Sequence, residues 1–116
     1  MAEFKFIDTQ NTLIVKINEE IDHHTCNQIK NKIDLAINFR RTKHLIFDFT
    51  GVNFMDSSGI GMIMGRYKNI SKHNGTVAVV GLKPTVKKIF AMSGLFKILD
   101  EYQDVDMAIN KIEIMA

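Results

Sequence analysis

The chain switches repeatedly between two hydrophobic periods. Leu13, Val15 and Ile17 alternate with Ile14, Lys16 and Asn18, the two-residue period of a strand with one wetter face. Residues 3–8 read as a strand ahead of this segment (12–17), joined to it by the polar link Thr9-Gln10-Asn11. So short a link predicts a hairpin and one antiparallel sheet edge. The period then lengthens. Over 25–39, Cys26, Ile29, Ile33, Ala36 and Ile37 fall on one helical stripe, with Asn27, Lys30, Asn31 and Lys32 off it. Thr25 and Gln28 have the spacing of a capping box.

Residues 44–49, His-Leu-Ile-Phe-Asp-Phe, have a center that is apolar on both faces, as expected of a strand between two helical layers. A connection over 50–56 leads to a second helix over 58–73, whose inner stripe is Ile60, Ile63, Met64, Tyr67 and Ile70, with Gly75 as its stop. Residues 76–81 form another buried strand. Pro84 opens a third helix, with Val86, Ile89 and Phe90 inward and Ser93-Gly94 at its end. A short edge strand is expected over 96–99. A last helix over 104–112 is capped by Asp104, with Val105, Ala108, Ile109 and Ile112 on one face. Strand–helix alternation of this kind predicts an α/β fold, one domain over 1–116. Its sheet is mixed and mostly parallel, of four to five strands, covered by about four helices. Function in such folds gathers where the strand C-termini open into loops.

Composition narrows the class. The 116 residues are 46% hydrophobic and 24% charged, the balance of a globular chain rather than a disordered one. A formal charge of +2, with the lysines dispersed, is too small for a nucleic-acid footprint. Cys26 is the only cysteine, so no internal disulfide points to an oxidising compartment. The first residues lack a basic region followed by an apolar one, and no apolar run approaches the ~18–20 residues that span a bilayer. A cytoplasmic location, without membrane or nucleic-acid partners, is the expectation.

The chemistry concentrates in Phe54-Met55-Asp56-Ser57-Ser58-Gly59-Ile60-Gly61-Met62-Ile63-Met64-Gly65-Arg66, which leaves a buried strand and starts a helix. Two hydroxyls sit where backbone N–H groups lack helical partners and the macrodipole is positive, a place that favours a phosphate. A phosphoserine there adds roughly −1.5 to −2 charge beside Asp56. A serine at this point also serves simply as an N-cap, worth ~1 kcal/mol, and Asp56 either orients the hydroxyl or is a solvated loop acid. Ser58, Met62, Gly65 and Asn69 are placed opposite the inner stripe. Gly59, Gly61 and Gly65 each lower helix propensity by about 1 kcal/mol. Either close approach of another chain or tight helix–sheet packing offsets that cost. With Met62 as a flexible contact to a partner, Met62→Lys is expected to weaken binding without unfolding.

Met55-Asp56-Ser57-Ser58-Gly59-Ile60-Gly61, followed by Gly65-Arg66-Tyr67-Lys68, closely resembles the anti-sigma-factor antagonist family, whose fold is the STAS domain. Ile21-Asp22-His23-His24-Thr25 and Met92-Ser93-Gly94-Leu95-Phe96-Lys97-Ile98 extend the likeness over about 12–112 and toward the sporulation branch. The resemblance implies a partner-switching regulator of transcription that is not an enzyme and carries no cofactor. Ser57 is then the phosphorylated residue. The kinase is the anti-sigma factor itself, a serine kinase with bound ATP or ADP. The bare antagonist binds that factor and frees the sigma factor; the phosphorylated form does not bind, and a serine phosphatase restores it. The implied contact surface comprises Asp22, His23, Asp56, Ser57, Ser58, Gly59, Gly61, Met62 and Gly65.

Competing readings are a related switch in general stress signalling, an accessory module of a transporter, and an enzyme with Ser57 as nucleophile. No Gly-x-Ser-x-Gly elbow surrounds Ser57. The glycine run lacks the spacing of a dinucleotide fingerprint and has no following Gly-Lys-Ser/Thr. His23 and His24 are adjacent and diverge, so no metal site is expected.

Overall fold

The computed structural model describes residues 1–115. The hairpin forms as expected. Strand β1 (Ala2–Ile7) pairs antiparallel with β2 (Thr12–Ile17), Phe4 opposite Val15. Strands β3 (His44–Asp48), β4 (Thr76–Val80) and β5 (Asp100–Tyr102) add on in parallel. Strand order in the sheet is the order of the sequence. Helices α1 (His23–Arg40), α2 (Ser57–Ser71) and α3 (Pro84–Ser93) connect the parallel strands, and α4 (Val105–Met115) follows the last one.

That order explains the layers. Each crossover steps the same way along the sheet, and right-handed crossovers stepping one way lie on one face. The larger core therefore joins α1, α2 and α3 to Leu13, Val15, Ile17, Leu45, Phe47, Val77 and Val79. The alternate residues Ile14, Ile46, Ala78 and Val80 point to the other face, where Ala108 and Ile112 of α4 cover them. Both faces are buried, so the inner strands read as continuous apolar runs. Phe47, Phe49, Phe90 and Phe96 form a chain of ring contacts with centroids 6.1, 5.6 and 5.7 Å apart, tying α3 to β3.

Three local expectations are corrected. Helix α1 starts earlier than expected, and its cap is Asp22 rather than Thr25. Asp22 stands before the first turn and its carboxylate accepts the Thr25 N–H at 2.9 Å. The Asp22 N–H in turn donates to Thr25 Oγ1 at 2.9 Å. The capping box is thus Asp22/Thr25, and Gln28 has no part in it.

The segment expected as strand 96–99 is instead a 3-10 turn over Leu95–Lys97. Gly94, in the left-handed region at φ 81, ends α3 and reverses the chain. Leu95 and Leu99 are both buried, and the N–H groups of Ile98 and Leu99 both turn back to donate to Leu95 O at 3.1 Å, a local pattern that an extended strand does not form. The strand begins only at Asp100, opposite Ala78.

The third correction concerns which side of α2 faces inward. Gly59, Met62, Ile63 and Ile70 are its buried residues, whereas Met64 is 40% exposed. Met62, assigned above to the outer face, is 4% exposed. Helix α2 packs against α1 as well as the sheet, so its buried sector is turned toward that seam. A single-helix hydrophobic stripe cannot report a second neighbour.

Candidate functional site

Ile21 and Met55 form an isolated parallel bridge at the strand C-terminal edge. Ile21 N–H donates to Phe54 O at 2.9 Å, and Asp56 N–H donates to Ile21 O at 3.0 Å. Both anchors are fully buried, at 0% and 1% exposure. The residues that follow them, Asp22 and Asp56, are the caps of α1 and α2. Two backbone hydrogen bonds therefore fix two helix starts side by side, and two of the segments quoted for the family resemblance, 21–25 and 55–61, meet there.

Asp22 accepts from the Thr25 N–H, and this bond, the largest influence, holds its carboxyl below the usual range. Asp56 Oδ1 accepts the Ser58 N–H at 2.8 Å. Ser57 is the first residue of α2 and is exposed. Its hydroxyl joins none of the hydrogen bonds found among the described residues. Asp56 is thus neither a loose loop acid nor bonded to Ser57; it is the N-cap, the part considered above for the serines. It also takes a donor that a phosphate on Ser57 would otherwise find. A phosphate added there would stand outward beside a carboxylate.

Ser57, Gly61 and Gly65 recur every four residues, so they share one side of α2. Cβ atoms built on Gly61 and Gly65 meet nothing within 4 Å. Gly59 is different. A Cβ there would strike Met55 Cγ, and would lie 2.5 Å from Met55 Sδ and 3.0 Å from Ile21 Cγ2. Gly59 lets α2 sit on the Ile21–Met55 bridge, while the fold itself does not require glycine at 61 or 65.

Two grooves flank this bare ridge. Toward α1, a groove of about 290 Å³ is lined by His23, Lys30, Ser58 and Gly61, with Met62 and Arg66 in its wall. Arg66 Nε lies 2.9 Å from Asp34 Oδ1. The two atoms form an ion pair without a hydrogen bond, and the buried Nη1 has no hydrogen-bond partner among the described residues. Toward α3, a groove of about 350 Å³ is lined by Ser57, Ile60, Ile89 and Met92. Met92 is 79% exposed. Sequence reasoning did not select Lys30, Arg66, Ile89 or Met92. Arg66 and Met92 stand within the quoted motifs, which was the available signal.

His23 is exposed, its ring Nε2 3.3 Å from Asn27 Nδ2; the adjacent His24 instead faces Gln28 at 3.3 Å. Among the described residues, no group of three or more His, Cys, Asp and Glu side chains is arranged to hold a metal ion. Cys26 is 5% exposed, and burial, then the charges of Asp56 and Asp22, push its thiol pKa up, which is the opposite of nucleophile activation.

A sheet with three helices on one face, one on the other, and paired helix starts at its functional edge is the architecture of the STAS domain. The STAS domain profile matches residues 4–108, and the chain belongs to that family. Within it, the chain stands with the anti-sigma factor antagonists of the SpoIIAA type. It is 39% identical over 104 residues to an anti-sigma F factor antagonist of Paenibacillus polymyxa, covering 90% of this chain and 89% of that protein. The structure of the anti-sigma factor antagonist SpoIIAA in its unphosphorylated form superposes with a TM-score of 0.85 at 30% identity, over 97% of this chain and 96% of the other. The Bacillus cell fate determinant SpoIIAA in its phosphorylated form superposes with a TM-score of 0.75 at 29% identity, over 97% and 99% of the two chains. None of the described helices is long and apolar enough to cross a membrane.

Proposed function

We propose that this protein is a phosphorylation-gated antagonist of an anti-sigma factor of the sporulation type, with Ser57 as the gate. The unmodified form binds the anti-sigma factor and releases the sigma factor. The anti-sigma factor is a serine kinase that uses ATP to phosphorylate Ser57, and a serine phosphatase reverses the change. One observation carries this reading: an exposed, unbonded Ser57 hydroxyl starts a helix whose next outward positions, Gly61 and Gly65, are bare without any need from the fold.

The gate has a simple physical form. The kinase provides nucleotide, metal and catalytic base, because phosphoryl transfer depends on positioning and charge neutralisation. This chain provides the nucleophilic hydroxyl and performs no catalysis of its own. The contact surface consists of Asp22 and His23 at the start of α1, and Asp56, Ser57, Ser58, Gly61 and Gly65 on α2. Gly59 and Met62 support that surface from beneath, since both are buried. Asp56 already caps the helix, so the added phosphate stays uncompensated at the ridge. Repulsion and desolvation then oppose rebinding. About 4 kcal/mol of such opposition changes affinity a thousandfold.

The test is intact-mass analysis after incubation with the candidate anti-sigma kinase and ATP. A gain of one phosphate in the wild type and none in Ser57→Ala is expected. Labelling that persists in Ser57→Ala, or equal binding of modified and bare forms, would overturn the proposal. Turnover of esters or nucleotides by the pure protein, abolished in Ser57→Ala, would favour an enzyme instead.

A further inference from the structure

The sheet ends in β5 on one side and β1 on the other. Strand β5 has three residues, and so short an edge is protected. Strand β1 has six, and pairs with β2 alone. Asn18 N–H donates to Met1 O at 2.8 Å. Alternation along the antiparallel pair then turns the N–H and C=O groups of Glu3, Lys5 and Ile7 toward β2, and those of Ala2, Phe4 and Phe6 outward. A row of outward groups is a template for another strand. Its flank on the α1 side is apolar. Phe4 lies opposite Val15 of the larger core, yet is 37% exposed. Ala2 shares a groove with Gln28 and Lys32 of α1, and Phe6 lies under the Arg40 guanidinium at 5.2 Å. Leu35, between those positions on α1, is therefore level with Phe4, and it is 70% exposed.

We infer that this edge docks a second copy of the chain, as a two-fold dimer with one continuous sheet and its axis through Phe4. The charges select that register. An axis through Phe4 sets Ala2 against Phe6, Phe4 against Phe4, and Glu3 against Lys5 on both sides. Outward groups then meet only outward groups, in about six backbone hydrogen bonds. Each Glu3 meets Lys5 of the second copy at a non-hydrogen-bonded position, where side chains approach closest. An axis through Glu3 or Lys5 would set like charges face to face, and one through Ala2 or Phe6 would leave them unmatched. Lys5 is in no ion pair among the described residues, and Glu3 accepts only from Asn18 Nδ2, at 2.8 Å. A lysine on an edge strand ordinarily deters pairing; here the same strand carries its counter-charge two residues away, at the spacing self-pairing needs. The axis also brings Phe4 and Leu35 toward their own counterparts, covering exposed apolar surface. Helix α2 joins β3 to β4, away from this edge, so the dimer leaves Ser57 free and does not depend on the proposed switch.

The test is sedimentation equilibrium of the intact protein from about 1 to 200 µM. A monomer–dimer equilibrium is expected, with Kd on the order of 10 µM. Glu3, Phe4 and Lys5 are exposed, so their variants should fold. Glu3→Lys and Lys5→Glu each set like charges across the axis, and each should raise Kd at least about tenfold. Together they restore opposite charges, and the double variant should return to within about threefold of the wild type. Phe4→Pro removes an outward N–H that the β1–β2 pairing does not use, so it should abolish the dimer while circular dichroism stays native. If that variant unfolds, the charge exchange decides alone. The inference is overturned if the protein is monomeric at about 200 µM, if a folded Phe4→Pro variant still dimerises, or if the double charge variant associates no better than the single ones.

Discussion

Replacing Gly61 and Gly65 together by alanine separates what the fold needs from what a partner needs. Each glycine costs a helix about 1 kcal/mol relative to alanine, and Cβ atoms at both positions meet nothing within 4 Å. The double variant should therefore be more stable by about 2 kcal/mol. For a chain of this length that is a rise of about 6–10 °C in melting temperature. The partner sees the reverse. A methyl group added to a close contact costs about 1–3 kcal/mol, so affinity for the anti-sigma factor should fall by about 5- to 150-fold. Urea unfolding gives the first quantity, and calorimetric titration against the nucleotide-bound anti-sigma factor gives the second. Gly59→Ala is the control, because its Cβ meets Met55 and Ile21; it should lose about 1–3 kcal/mol of stability. A double variant that gains stability and binds as well as the wild type would refute the idea that these positions are bare for a partner. A double variant that loses stability would refute the reading of the helix itself.

Other substitutions probe the seam and the caps. Met62→Lys should destabilise the fold by about 1.5–3 kcal/mol through lost burial, so urea unfolding should move before any specific effect on binding is seen; an unchanged midpoint would contradict the burial of Met62. The Asp22 carboxyl is held below its usual pKa, so its contribution is present above about pH 4 and is lost as pH falls through the folded value. Asp22→Asn should flatten that acid limb in stability-versus-pH measurements, and an identical limb would show that the cap does not carry it. His44 is held below its usual pKa by burial first and Lys43 second, and its Nδ1 lies 2.7 Å from Thr76 Oγ1. Because the unfolded chain takes up the proton first, His44 should cost stability as pH drops below about 6.5; His44→Gln should remove that slope, and its persistence would place the cause elsewhere. Cys26 should react with a chromogenic disulfide at least about tenfold more slowly in the native protein than in urea, and equal rates would contradict its burial.

The alternation of periods was enough to place the hairpin, the inner parallel strands β3 and β4 and the four helices, because each period reflects a local geometry. Pro84 and Gly94 marked the limits of α3 for equally local reasons. The errors fell where a distant neighbour decides. Thr25 and Gln28 have the form of a capping box, but Ile21 is held by Phe54 O and passes the cap to Asp22. The 96–99 segment is apolar enough for a strand, yet after Gly94 the chain coils back so that the Ile98 and Leu99 N–H groups bond to Leu95 O. The motif around Ser57 was legible from its residues alone. Lys30, Arg66, Ile89 and Met92 gathered beside it only through helix packing.

The linear chain determined the four helices, the hairpin and the two inner strands, the sheet's double-sided burial and the exposed serine at a helix start, since these follow from spacing and from chemistry within one turn. Only the tertiary structure decided that α1 and α2 begin together, that Met62 lies in their seam, and that Gly59 serves the core while Gly61 and Gly65 remain open to solvent. A helix pattern records how much of its surface is buried, but which side faces which neighbour is set by contacts far apart in sequence.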